Sequence, residues 1–246
     1  MPLKFSLTAL PALLTGALLL GASLAHASDE QEDVTLQPMK LSYNASLDKG
    51  ISLNGDARRI LEQRDDGTWH FRTDVDSFVA DIDESLIFRW EDNQVVPLRY
   101  RYKLSGLFIR DREEAIDFDW ENNVVSGHHE GDKFSMKLEK GAMDPMGYQL
   151  QLSQDIKAGK REMEYRVIDK GDFDTDKFAV VDEETVRING DDIRTLKAEK
   201  VRDSDSKRES LMWFAPERDY LLIRFLQVEP DGSEYELTIS DAKVGR

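Results

Sequence analysis

Pro97–Trp120, PLRYRYKLSGLFIRDREEAIDFDW, is the stretch from which the rest of the chain can be read. Leu98, Tyr100, Tyr102 and Leu104 share one parity, and Arg99, Arg101 and Lys103 share the other. A pleated strand sends successive side chains to opposite faces, so this segment presents an apolar, aromatic face and a basic one. Beyond Ser105-Gly106 the pattern returns with the charge inverted: Ile116, Phe118 and Trp120 alternate with Asp117 and Asp119. Side by side, two such strands turn tyrosine, phenylalanine and tryptophan toward a core and set basic against acidic residues outside. The expectation is a half-buried antiparallel sheet built outward from this pair.

Strand signals continue in both directions. Met39, Leu41, Tyr43, Ala45 and Leu47 alternate; Ala57–Gln63 follows, and Asp65-Asp66-Gly67 turns the chain into Thr68–Val75. Ser77–Asp83 fits neither template, and Glu84–Trp90 resumes the alternation. After Trp120 come Val124–His128 and Lys133–Glu139, and in the last third Glu162–Asp169, Lys177–Val181, Glu184–Ile188, Ile193–Val201, Arg208–Phe214, Leu221–Val228 and Ser233–Ser240. One segment differs. Asp144-Pro145 reads as an N-cap with proline in the first turn, and Tyr148, Leu152 and Ile156, with Met146 and Leu150 beside them, recur at helical spacing until Gly159. Hairpins at intervals of roughly ten residues, with no linker between halves, predict an all-β, mainly antiparallel fold. That fold is a curved meander sheet of ten or more strands, forming a half-open or closed β-barrel with one short helix, over a single domain of residues 39–246.

The N-terminus gives an address. Lys4 precedes an apolar run from Ala9 to Leu20, and Ala25-His26-Ala27 matches the small-x-small pattern of signal peptidase sites. Residues 1–27 are therefore read as a signal peptide cleaved after Ala27, followed by a flexible acidic lead over 28–38 and a periplasmic domain with no transmembrane segment. Cleavage would subtract Lys4 only and take the formal charge from −16 to −17. So acidic a chain repels DNA, RNA and anionic lipid surfaces, which argues against them as primary partners. The chain has no cysteine, which excludes thiol chemistry, thiolate zinc sites and disulfide stabilisation.

The catalytic inventory is thin. Beyond the signal region there are only His70, His128 and His129, and no Gly-x-Ser-x-Gly elbow. His128 and His129 are adjacent, so on a strand they point to opposite faces and cannot converge on one metal. Asp172, Asp174, Asp176 and Glu183 fall at positions 1, 3, 5 and 12 of a calcium loop, but Lys177 occupies the position that needs glycine. An acidic turn between strands accounts for the same residues. No cofactor is indicated. The aromatic residues are the better lead: Tyr43, Trp90, Tyr100, Tyr102, Phe118, Trp120, Phe134 and Trp213 either fill a core or line an apolar groove left by a sheet of this many strands.

The chain resembles the bacterial exported family known as domain of unknown function 3108. Tyr43, Gly55, Val96-Pro97-Leu98-Arg99-Tyr100, Phe118-Asp119-Trp120, Gly141–Pro145 with Gln149-Leu150, and the Trp213 strand ahead of Leu221–Phe225 carry the resemblance. It implies a fold and a compartment, and brings no activity. The turn at Gly190, the Trp213 strand, Leu221–Phe225 and the Gly232 hairpin also resemble the periplasmic lipoprotein carriers, whose half-open barrels wrap a helix and take acyl chains. The functional expectation is a non-enzymatic protein that binds an apolar, lipid-like ligand or an envelope partner. Two alternatives stay open: a hydrolase acting on an envelope polymer through paired carboxylates, and an assembly or inhibitor protein that pairs a sheet edge with a partner.

Overall fold

The computed structural model describes residues 34–48, 52–77, 80–107, 110–203 and 205–245. The segment read as a signal peptide lies outside them. Fifteen strands follow in chain order: β1 (Met39–Asp48), β2 (Ser52–Gln63), β3 (Trp69–Ser77), β4 (Ala80–Glu91), β5 (Gln94–Gly106), β6 (Arg112–Asp119), β7 (Val124–His129), β8 (Asp132–Lys137), β9 (Ala142–Met143), β10 (Glu162–Asp169), β11 (Asp172–Ile188), β12 (Asp191–Val201), β13 (Glu209–Ala215), β14 (Leu221–Val228) and β15 (Glu234–Val244). One helix, α1 (Gly147–Lys157), separates β9 from β10. All fifteen strands form one sheet. Neighbours in sequence are neighbours in space, except that β1 pairs with β15. The two meanders are thus joined through the chain's first and last strands, and β8 and β9 are left as the edges of an unclosed, half-open barrel.

The central pair forms with an adjustment. Arg99 lies opposite Asp117 and Arg101 opposite Ala115, and Asp117 bridges both arginines at 3.2 and 2.8 Å. Asp119 instead accepts from Asn122 in the following turn. Pairing with β4 slips between Ile87 and Phe88, so Leu98 is an extra, bulged residue. The bulge switches parity: Val95 and Pro97 face inward before it, Tyr100 and Tyr102 after it, and Leu98 leaves the inward set that strict alternation predicts.

α1 forms where the sequence places it. Asp144 Oδ1 accepts hydrogen bonds from the amides of Met146 and Gly147 at 2.9 Å each, and Gly159, with a φ of 91°, ends the run. Its two faces serve two cores. Met146 and Leu150 pack with Leu61, Phe71, Leu86, Phe88, Ile116 and Phe118, whereas Leu152 and Ile156 pack with Tyr165, Phe178, Leu196, Met212 and Phe214. The helix therefore lies inside the curved sheet and is buried by both meanders. A third cluster takes Ile193, Trp213 and Ala215, of the parity opposite to Leu196, Met212 and Phe214, and gathers them with Leu41, Tyr43, Ala57 and Ile239. The β12–β13 region is thus apolar on both faces, which is why its sequence alternates poorly.

Two readings are corrected. Lys177–Val181 and Glu184–Ile188 are one strand, β11, kinked by a bulge between Val180 and Asp182. The presumed calcium loop is the start of that strand: Asp172, Asp174 and Asp176 pair with Asp169, Val167 and Tyr165 of β10. Extended pairing with β10 replaces the tight loop that would wrap these oxygens around an ion. Asp176 is instead buried against Lys200 at 2.6 Å, and Glu183 pairs with Arg194. Among the described residues no three His, Asp or Glu side chains converge as metal ligands.

Candidate functional site

The inward faces of β2 to β7 carry a feature that parity alone does not reveal. Arg59 pairs across strands with Thr73, Thr73 with Glu84, Glu84 with Tyr102, Tyr102 with Glu114, and Glu114 with His129. Directly opposed residues share a face, so these six side chains form one polar row across six strands on the inside of the barrel. The next row is apolar: Leu61, Phe71, Leu86, Tyr100 and Ile116. In β2, β3 and β4 the polar residue is flanked by apolar residues of its own parity, as Arg59 sits between Ala57 and Leu61. That local signal is present in the sequence. Its alignment into a row comes from register.

The row is electrostatically unusual. Tyr100 donates to Glu84 Oε1 at 2.8 Å, and Lys170 donates its backbone amide to Glu114 Oε1 at 2.7 Å. Burial holds both carboxyls above their ordinary range, and Asp169 nearby adds to this for each; Tyr100 and Arg59 pull Glu84 partly back. Tyr100 and Tyr102 are raised by burial and then by Glu84. His129 Nδ1 lies 3.5 Å from Glu114, while His128 turns to the outer face toward Glu113.

At its β2 end the row meets α1. Arg59 is 6 % exposed; its Nε donates to Thr73 Oγ1 at 3.1 Å and its Nη2 to Gln149 Oε1 of α1 at 2.6 Å, and the guanidinium lies 5.0 Å from the centre of the Phe71 ring. Between α1 and β1, β2 and β14 runs a slot of about 50 Å³, lined by Met39, Leu41, Tyr43, Leu61, Leu150, Phe214 and Leu222 with Arg59 and Gln149. Its outer end is bordered by Lys157 and Asp219, which are ion-paired.

The eight aromatic candidates divide. Tyr100 and Phe118 are buried in the first core, with Trp90, Tyr102, Trp120 and Phe134 packed against it. Trp120 stacks on Phe118 at 6.2 Å and donates to the carbonyl of Pro97, and Phe134 closes over Gly171. Trp90 donates to the carbonyl of Val34 at 2.7 Å, and Val34 donates to Asn93, so the end of the acidic lead is tied to the β4–β5 turn. Trp213 belongs to the third cluster, flanked by Lys197 and Arg224 and hydrogen-bonded to Glu184. Tyr43 alone of the eight borders the slot, donating to the carbonyl of Leu222 at 2.8 Å. Arg59, Gln149 and Leu150 are the lining residues that parity reasoning overlooks.

The family described as a protein of unknown function, DUF3108, matches residues 41–240. The chain belongs to that family. The match spans every strand from Leu41 through most of β15, so the polar row, α1 and most of the slot's lining lie within the family's domain. No curated protein matches the chain in sequence. Among solved structures, a beta-barrel-like protein of the DUF1849 family from Brucella abortus is 12% identical, covers 87% of this chain and 100% of its own, and superposes with a TM-score of 0.59. It shares the fold. A DUF1329 family protein from Desulfovibrio piger is 12% identical over 85% of this chain and 86% of its own, with a TM-score of 0.24. A Vibrio parahaemolyticus domain described as an outer membrane lipoprotein-sorting protein is 10% identical over 86% of this chain and 87% of its own, with a TM-score of 0.23. Among the described residues no helix is long and apolar enough to cross a membrane.

Proposed function

We propose that this DUF3108 protein is a non-enzymatic binding protein of the cell envelope, which takes an apolar, lipid-like chain into its half-open barrel alongside α1. In this reading residues 1–27 export it with cleavage after Ala27, and residues 39–246 act as one domain in the periplasm. The observation that carries the proposal is the slot between α1 and the wall of β1, β2 and β14, where the only α-helix among the described residues meets mostly apolar side chains without filling the space. Toward solvent that helix is held by Ser153, which donates to the carbonyl of Tyr220, and by the partly exposed Lys157–Asp219 pair, which contributes at most about 1 kcal/mol. Native mass spectrometry of protein purified from the periplasm tests the proposal. A co-purifying lipid or acyl species is expected, and a mass equal to the bare polypeptide under gentle conditions, with no uptake of added lipid, would overturn it.

A second reading, hydrolysis of an envelope polymer, draws support from Glu84 and Glu114, two inward carboxyls with raised pKa values that flank Tyr102 in the row. Release of soluble fragments from purified peptidoglycan by the wild type, abolished in both Glu84→Gln and Glu114→Gln, would favour it over binding alone.

A further inference from the structure

We propose that Arg59 is a receptor for an anionic head group, and that the chain bound beside α1 is a long-chain carboxylate. The inference rests on the reading of the slot as a chain-binding site and adds the chemistry of the ligand's polar end.

Arg59 is a buried cation without a buried anion to match it. Among the described residues no carboxylate oxygen lies within 4.0 Å of its guanidinium. Its hydrogen-bond partners Thr73 Oγ1, Gln149 Oε1 and the Tyr43 hydroxyl are neutral. Glu84 is near enough to feel its charge, but it lies beyond ion-pair distance and is engaged by Tyr100. An arginine keeps its charge in any protein environment, and a buried charge is costly unless paired. Core arginines are accordingly found with carboxylates or phosphates, and this one faces a slot instead.

The geometry favours a carboxylate as the missing partner. The guanidinium is a planar fork that matches the two oxygens of a carboxylate, and Gln149 Oε1, at 2.6 Å from Nη2, already occupies a position one such oxygen would take. Gln149 comes from α1, so a helix displacement that admits the chain also withdraws the amide and frees the fork. The slot's 50 Å³ is one or two waters' worth of space, enough for the head group; the tail then follows Leu41, Leu150 and Leu222 as α1 shifts. The net charge of −16 does not oppose this. Exposed charges are screened beyond about 10 Å, whereas a buried unpaired guanidinium acts at contact in a poorly screened site. The acidic surface does select a single amphiphile over an anionic membrane.

Titration calorimetry with dodecanoate, dodecanol and dodecyltrimethylammonium, each below its micelle concentration at pH 7.5, tests the inference on the mature chain. Dodecanoate is expected to bind about tenfold to a hundredfold more tightly than dodecanol, and the cation most weakly. Gln149→Glu places a carboxylate on the Arg59 fork from within the protein and is expected to erase the preference for dodecanoate while leaving dodecanol binding in place. Arg59→Gln should do the same, and Gln149→Glu keeps the test decisive if Arg59→Gln fails to fold. Equal affinity for dodecanoate and dodecanol, or a preference that survives Gln149→Glu, would overturn the head-group assignment and leave chain binding standing. Binding of none of the three would overturn both.

Discussion

Replacing Asp144 with asparagine should make the protein more stable at pH 8 and leave it nearly unchanged at pH 5. Asp144 has no exposed surface. Its Oδ1 accepts from two amides, but its Oδ2 has no partner and faces Gly147 so closely that a Cβ there would come within 2.8 Å. Burial raises its pKa from 3.8 to about 7, against the pull of the two amides. The folded state therefore holds a proton that the unfolded chain releases, and stability falls as pH rises from near 3.8 to about 7. At about 1.36 kcal/mol per pH unit the whole window corresponds to about 4 kcal/mol, of which about 2–3 lies between pH 5 and pH 8. Asparagine keeps the accepting oxygen and never ionises. At pH 5 the carboxyl presents one buried O–H and the asparagine amide two N–H donors without an acceptor, so the variant should lie within about 1 kcal/mol below the wild type; at pH 8 it should exceed it by about 2 kcal/mol. Urea denaturation of both proteins at the two pH values reads this directly. If the difference between them does not change with pH, Asp144 is ionised throughout and the burial argument fails.

Leu152→Ala should cost about 2–5 kcal/mol in thermal or urea unfolding, because the side chain is completely buried between α1 and β10–β14. Arg101→Ala removes an outer-face pair with Asp117 that is substantially exposed on both sides, and should cost at most about 1 kcal/mol; the reverse ranking would mean the two faces have been exchanged. Gly127→Ala would place a Cβ 1.8 Å from the carbonyl oxygen of Ala115, so β6 and β7 must separate. Loss of soluble, cooperatively folding protein is expected, and wild-type stability would refute the close approach. Spectrophotometric titration should leave much of the tyrosine absorbance unionised at pH 11, since burial holds Tyr43 to about 12 and keeps Tyr100, Tyr102 and Tyr148 above their ordinary value; complete ionisation by then would show an open, wetted interior.

Much of the fold is legible without coordinates because its signals are local. Alternation marks β1, β3, β5 and β6, turn residues such as Asp66-Gly67 and Asn189-Gly190 divide the strands, and Asp144-Pro145 with Gly159 brackets the helix. Each of these depends on a few neighbouring residues whose periodicity or backbone preference is intrinsic. Even Arg59, Thr73 and Glu84 are individually visible as polar residues on an otherwise apolar parity.

What the sequence could not supply is register and long-range pairing. The bulge at Leu98 moves Val95 and Pro97 onto the inward face, and a one-residue slip reverses every side chain beyond it. The pairing of β1 with β15 joins residues nearly two hundred positions apart, and no local pattern encodes it. Only the assembled sheet turns six separate side chains into a continuous row and buries the opposite parity of β12 and β13 around Trp213. Only the helix packed within that sheet sets Gln149 against Arg59 and leaves a slot beside them. Local propensity determined which elements form; their faces, and hence the site, were decided by how the strands met.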